Sequence, residues 1–315
     1  MTLFTCAKSP LRRGGDFFMG GISMVKTRKT IVGLTAGLGA ASIWGGMYVV
    51  SKVVLDVIPP FALLSTRLLL GAATLLPVII LRMHKPAFSC DQVWSSLVVG
   101  FIGYGISLGF QFVGTRLSTA SNGALVTSAT PAFVLLFAPY LLGEKITPRR
   151  VAALVVATLG VIAVIDPRHA ELSPSMFIGN LSLLGAALTW ALYSVLVRKI
   201  SASSDLLLSS TIMLLGGLPS SLTLGAFEIP TIEMNKITSS IIWGTLYLGV
   251  ISTALAMFLW NYAFATLPAG VASLTFFAQP VVGVLLGWLL LSEPVNALFF
   301  AGGSLIVLGI FLSIE

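Results

Sequence analysis

Ten stretches of this chain, at about 31–55, 60–81, 93–114, 119–142, 149–165, 176–197, 206–226, 238–263, 269–291 and 297–314, are predominantly apolar. They reach the ~17–25 residues that a tilted helix needs to cross a bilayer. So many runs of this length cannot all be buried inside one water-soluble core. Only 9% of the residues are charged against 57% hydrophobic, where a soluble domain carries about 25% charge. Soluble, disordered and collagenous chains are excluded on that ground. The ten windows use up most of the 315 residues, and Pro59-Pro60, Lys85-Pro86, Pro148 and Asp166-Pro167 punctuate the short connections. The expected fold is an all-α polytopic membrane protein of about ten transmembrane helices, with no room for a soluble catalytic domain.

Lys and Arg set the orientation of such a chain. With the N-terminus on the cytoplasmic side, inside segments hold thirteen of the eighteen basic residues, from Lys8 and Arg12 through Arg198 and Lys199. The outside loops hold Lys52, Arg116, Arg168 and Lys236, and Arg67 lies within a span. Both termini are therefore expected in the cytoplasm. The net charge of +7 reads as topology and does not call for nucleic acid. Residues 1–29 are basic and lack the apolar core of a signal peptide. They read as a disordered cytoplasmic tail, or as sequence upstream of a true start at Met24. Cys6 and Cys90 suggest no disulfide framework, and His84 and His169 are too far apart to suggest a metal site. No cofactor is implied.

The chain also contains itself twice. Gly39-Ala40-Ala41, Trp44 and Lys52 match Gly185-Ala186-Ala187, Trp190 and Arg198 at a constant offset of 146. Pro131, Glu144 and Gly160 match Pro280, Glu293 and Gly309 at an offset of 149, and Ser95-Ser96 with Gly100 matches Ser239-Ser240 with Gly244. Residues 30–166 and 175–314 thus form two units of five spans each. Five is odd, so the second unit inserts upside down. Inverted repeats of this kind characterise secondary transporters, whose substrate sites lie near the midplane between the copies.

With these residues in view, the chain resembles the drug/metabolite transporter superfamily, specifically the ten-helix EamA-type permeases. The resemblance covers about residues 30–314. It rests on the Trp of the first helix in each half, on Arg67 in span two, and on the endings Pro131…Leu-Leu-Gly-Glu144 and Pro280…Leu-Ser-Glu293. It implies an inner-membrane carrier, usually exporting amino acids or related metabolites, with a central cavity lined mainly by spans one, three, four, six, eight and nine.

Several residues stand out as candidates for that cavity. Trp44 and Trp190 sit near mid-span, where the aromatic belt of the membrane interface does not explain them. Their indole N–H groups need partners or a wet cavity. Tyr48 and Tyr193 share their helix faces. Trp94, Trp243, Trp260 and Trp288 lie near span ends and read as belt residues. Pro131 and Pro280, matched and mid-span, would free the carbonyls of Thr127 and Phe276 and act as hinges. Thr130 and Gln279 precede them as matched polar groups. Asn122, Gln111, Asn261 and Tyr262 could meet substrate or join helices, and Phe276 and Phe277 would favour an apolar portion of the substrate. Against each functional role stands ordinary helix packing.

Arg67 is the charge well inside a span, about 10 Å below the outer boundary. Its burial costs about 2.5–3.5 kcal/mol on insertion scales. Binding a helix-end carbonyl and steering a substrate carboxylate both fit it. Glu144 and Glu293 sit at helix ends and offer the carboxylates for any proton coupling, since no Asp or Glu is mid-span. Facilitated diffusion is the simpler expectation. No nucleophile–base pair or metal cluster suggests an enzyme. The favoured partner is a small zwitterionic or weakly charged metabolite, with the lipid bilayer as solvent. A lipophilic cation or drug is the alternative cargo, and a non-transporting accessory protein the alternative class. The sequence sets no oligomeric state, and a monomer suffices.

Overall fold

A computed structural model describes the backbone of residues 19–81, 89–165, 176–202, 204–291 and 297–313. Of their side chains, those at 19–27, 120–122, 164–165, 284, 287, 288, 290, 291, 297 and 299 fall outside the described set. Ten helical segments follow one another. They are α1 (Met19–Leu55), α2 (Pro60–Ile80), α3 (Cys90–Leu117), α4 (120–142), α5 (Pro148–Ile165), α6 (Phe177–Ser201), α7 (Leu206–Glu228), α8 (Ser239–Thr266), α9 (269–291) and α10 (Ala297–Ser313). Each falls on one of the ten apolar windows. Seven stretches among them are long and apolar enough to cross a membrane by that measure alone. Large apolar side chains such as Leu81, Phe227 and Phe311 remain exposed, as a lipid-facing surface requires. α1 runs back to Met19, a helix of 37 residues, through part of the segment expected as a tail.

The ends of the helices are set by local chemistry. Pro60 opens α2, where its missing N–H costs nothing, and the Glu228 carboxylate from the end of α7 accepts from Phe61 N (2.7 Å) and Ala62 N (2.9 Å). Ser89 and Gln92 form a reciprocal capping box at α3. Asp205 caps α7 through Leu208 N. Gly143 ends α4 at φ 67°, a left-handed conformation that glycine adopts without penalty.

Four helices are irregular. Within α3 the segment Phe101–Ser107 is wound as a π-helix, and within α8 so is Tyr247–Leu255. α4 is broken into Ala120–Thr127 and Thr130–Leu142, and α9 passes through a tight 3₁₀ turn at Thr275–Phe277 before Ala278–Leu291. The expectation of proline-kinked continuous helices needs refining here. The break in α4 precedes Pro131, which then sits at the second position of a new helix, where no backbone donor is needed. Pro280 stands three residues into the α-helical part of α9.

Packing follows a regular exchange. α1 lies against α8 and α9, and α6 lies against α3 and α4. α2 packs on α7 and on the π-segment of α8, α7 packs on α3, and α5 packs on α10. Replacing each helix by the one five places away leaves this list unchanged. α3 and α7 cross so closely that a Cβ on Gly100 would strike the Met213 carbonyl, and one on Gly216 the Leu97 carbonyl. The main core runs through the centre, and a smaller one (Ala153, Ala157, Val161, Leu274, Phe277, Ile306) joins α5, α9 and α10.

Candidate functional site

The central core encloses a cavity lined by Trp44, Met47 and Tyr48 of α1, Ser107, Leu108 and Gln111 of α3, and Thr127 and Thr130 of α4. Ala186, Ala187 and Trp190 of α6, Met257 of α8, and Phe276 and Gln279 of α9 complete it. The space between these walls is about 360 Å³ counted to the mouth, of which about 30 Å³ admits a water centre. That is room for a water or two. In this conformation the walls are drawn in around the site.

The matched tryptophans meet here because α1 and α6 occupy equivalent places in the packing. Trp44 and Trp190 stand edge to face, centroids 5.5 Å apart and planes at 82°. Such pairs are attractive beyond their buried area. Trp260 joins them at 5.3 Å from Trp44, and Phe276 lies 5.5 Å from Trp260, so four rings form one wall. Trp44 Nε1 donates to the Ser252 carbonyl at 3.0 Å, in the π-helical segment of α8. Trp260 Nε1 donates to Ser194 Oγ at 2.9 Å. Trp190 Nε1 is buried and has no hydrogen-bond partner.

The polar wall has a defined direction. Gln111 Nε2 donates to Tyr48 Oη (2.8 Å), Tyr48 donates to Thr127 Oγ1 (2.8 Å), and Thr127 donates to the Gly123 carbonyl (2.6 Å). α4 comes close enough for this because Gly123 faces the Tyr48 ring, where a Cβ would lie 2.7 Å from it. Opposite, Gly45 lets α1 approach the backbone of α9 at Gln279 and Gly283, which fixes Gln279 at the cavity. Among the described residues, Gln279 Nε2 and Thr130 Oγ1 are buried without a hydrogen bond of good geometry, Gln279 lying beside the Tyr48 hydroxyl. Three unsatisfied polar atoms on one cavity are unusual, because native proteins pair nearly all such groups.

Arg67 lies just behind this wall, 0% exposed. Its Nε donates to Thr253 Oγ1 (2.7 Å), one terminal nitrogen to Ser252 Oγ (3.4 Å), and the other contacts Met47 Sδ (3.9 Å). The guanidinium carbon stands 5.1 Å from the centre of the Phe112 ring. No carboxylate pairs with it among the described residues.

Of the residues singled out from the sequence, Trp44, Tyr48, Gln111, Thr127, Thr130, Trp190, Phe276 and Gln279 converge on the cavity. Tyr193 and Phe277 do not line it. Tyr193 contacts the Tyr104 hydroxyl and donates to Asn261 Oδ1 (2.7 Å), while Asn261 Nδ2 donates to Ser210 Oγ (3.0 Å), so these groups join α3, α6, α7 and α8. Phe277 packs in the smaller core against α5 and α10. One residue of the 3₁₀ turn rotates a side chain by about 120°, which separates Phe277 from Phe276. Pro280 is buried one residue from Gln279. The side chain of Asn122 and the whole of Glu293 lie outside the described set. Glu144 is at one end of the bundle, away from the cavity, with Arg198 at 2.9 Å and Arg150 at 3.5 Å. Trp94 and Trp243 are exposed by 69% and 71%, as belt residues are. Trp260 is fully buried in the aromatic wall, contrary to its belt assignment. Its distance from the helix end suggested an interface, but α8 continues to Thr266. Met47, Ser107, Leu108, Ala186, Ala187 and Met257 were not singled out for the cavity; for two of them the small-residue run Gly185-Ala186-Ala187 was the available signal.

The EamA-like transporter family matches residues 31–165 and again 177–314. The uncharacterized transporter YetK of Bacillus subtilis is 27% identical over 299 residues, covering 94% of this chain and 89% of that protein. A protein of Salmonella typhimurium described as a probable amino-acid metabolite efflux pump is 27% identical over 287 residues, covering 86% and 91%. A solved crystal structure superposes with a TM-score of 0.72 at 21% identity, over 91% of this chain and 97% of that one.

Proposed function

The chain belongs to the EamA-like transporter family, and from that premise we propose that it exports amino acids or related small metabolites by alternating access at the central cavity. The observation that carries this reading is the cavity itself. It is built from α1, α3 and α4 of one half and α6, α8 and α9 of the other, so movement of one half against the other opens it to alternate sides. The invariance of the packing under exchange of the halves supports two inverted repeats. The likeness to the Salmonella protein supports amino acids or their relatives as cargo. The distribution of Lys and Arg supports both termini in the cytoplasm.

The aromatic wall supports a second reading, a lipophilic cation held over ring faces. The unneutralised Arg67 beside that wall opposes it, since like charge in a low-dielectric interior is costly.

Counterflow in proteoliposomes loaded with the twenty unlabelled amino acids tests the proposal. Accumulation of an external labelled amino acid that depends on the internal pool is expected. Silence across the amino acids, with uptake of a labelled lipophilic cation, would contradict it in favour of the second reading.

A further inference from the structure

We propose that the cavity recognises its cargo through a carboxylate and does not require an ammonium group, so that its cargo class extends to monocarboxylates with an apolar body. This rests on the carrier reading above and goes beyond it in naming the group that is read and the residues that read it.

Two of the cavity's three unsatisfied polar atoms, Trp190 Nε1 and Gln279 Nε2, can only donate, and the third, Thr130 Oγ1, can donate its hydroxyl proton as well as accept. These side chains are 6%, 1% and 0% exposed, and all three line the same cavity. Buried donors without acceptors are costly, and an occupant that supplies acceptors relieves that cost. Behind the wall, Arg67 carries a buried charge with no carboxylate partner among the described residues. It reaches the cavity through Met47, and its Ser252 contact belongs to the residue whose carbonyl holds the Trp44 indole. Donors and unneutralised cation act in the same direction.

An ammonium finds ring faces and amide oxygens but no carboxylate here, beside the positive charge of Arg67. None of the lining residues is acidic. The Tyr48 and Thr127 hydroxyl protons are already committed to Thr127 and the Gly123 carbonyl. The remaining wall, Trp44, Met257 and Phe276, suits an apolar body. A zwitterion is accepted by this arrangement because of its carboxylate.

Thermal unfolding of the purified full-length chain in detergent, titrated with L-phenylalanine, 3-phenylpropionate and phenethylamine, tests the inference. The three share a body and differ in charge. The two carboxylates are expected to stabilise the protein at concentrations within about tenfold of one another, and phenethylamine to need at least about tenfold more. Gln279→Leu and Thr130→Val are expected to erase the preference for acid over amine, while Trp94→Phe keeps it. Phenethylamine stabilising as well as 3-phenylpropionate would overturn the inference, as would an unchanged preference in folded Gln279→Leu. Stabilisation by phenylalanine alone would overturn it too, while leaving the amino-acid carrier standing. Silence from all three overturns it as well, and counterflow then decides separately whether the carrier reading survives.

Discussion

Trp44 and Trp190 hold equivalent places in the two halves, yet one indole is bonded to Ser252 and the other is not. A carrier that binds one molecule between two related halves needs such asymmetry, because a site with equal partners on both sides would satisfy itself. Trp190→Ala and Gln279→Ala are expected to reduce counterflow at least about tenfold, the range that loss of a donor-bearing wall gives, while membrane insertion persists. Trp94→Ala, at a lipid-facing position, is expected to leave it unchanged. Trp260 is separable from these by stability. Trp260→Phe removes the bond to Ser194 and part of the ring volume and should cost about 1–3 kcal/mol, whereas Trp260→Ala opens a larger cavity and should cost about 3–5 kcal/mol, both readable in thermal unfolding. Much of this site was legible in the sequence because matched residues at a fixed offset point to the shared axis. Trp44, Trp190, Thr130 and Gln279 were found that way. Trp260 was not, since depth within a bundle depends on neighbours as well as on distance from a helix end. Tyr193 and Phe277 show the converse, that a shared face or an adjacent position in sequence does not fix which space a ring enters.

At the scale of the helix, hydrophobic runs located all ten segments, because in lipid the backbone must satisfy its own hydrogen bonds and a long apolar run has only the helix to adopt. What the runs could not reveal are the π-helical segments at Phe101–Ser107 and Tyr247–Leu255. Neither contains proline, and their glycines, Gly103 and Gly105 in one and Gly249 in the other, are no different from those in the regular helices. Their matched positions in α3 and α8 place them against α7 and α2, so tertiary contacts select them. Such segments are frequent at functional sites, and this one presents the Ser252 carbonyl to Trp44. The prolines of α4 and α9 were legible as breaks, though the break in α4 falls before the proline. The α3–α7 crossing gives a test at this scale. Gly100→Ala and Gly216→Ala must push two backbones apart and should each cost about 1–3 kcal/mol. Gly303→Ala, whose Cβ would meet nothing within 4 Å, should leave the unfolding midpoint unchanged.

Across the whole molecule, one end is tied by Glu144. Its Oε1 accepts from Arg198 Nε and from Ala269 N, each at 2.9 Å, and Arg150 approaches Oε2 at 3.5 Å. Arg198 also donates to the Phe264 and Leu267 carbonyls. The ends of α4, α6 and α8 and the starts of α5 and α9 therefore meet at one carboxylate. The counterpart of Arg198 by sequence offset, Lys52, instead caps α3 through the carbonyls of Thr115, Arg116 and Ser118 at 2.8–3.2 Å. A closure that must release for the cavity to open on that side would be weakened by removing Glu144. Glu144→Gln is thus expected to raise cavity accessibility from that face, several-fold for a change of about 1 kcal/mol. The accessibility of Ala187, a cavity residue, reports alternating access at the cavity. Ala187→Cys, in a chain with Cys6 and Cys90 replaced by serine, would be treated in vesicles with a membrane-impermeant thiol reagent applied to one face at a time. Reaction from either face is expected, slowed by whichever amino acid exchanges in counterflow. Reaction from one face only under every condition, or a rate indifferent to that cargo, would contradict alternating access.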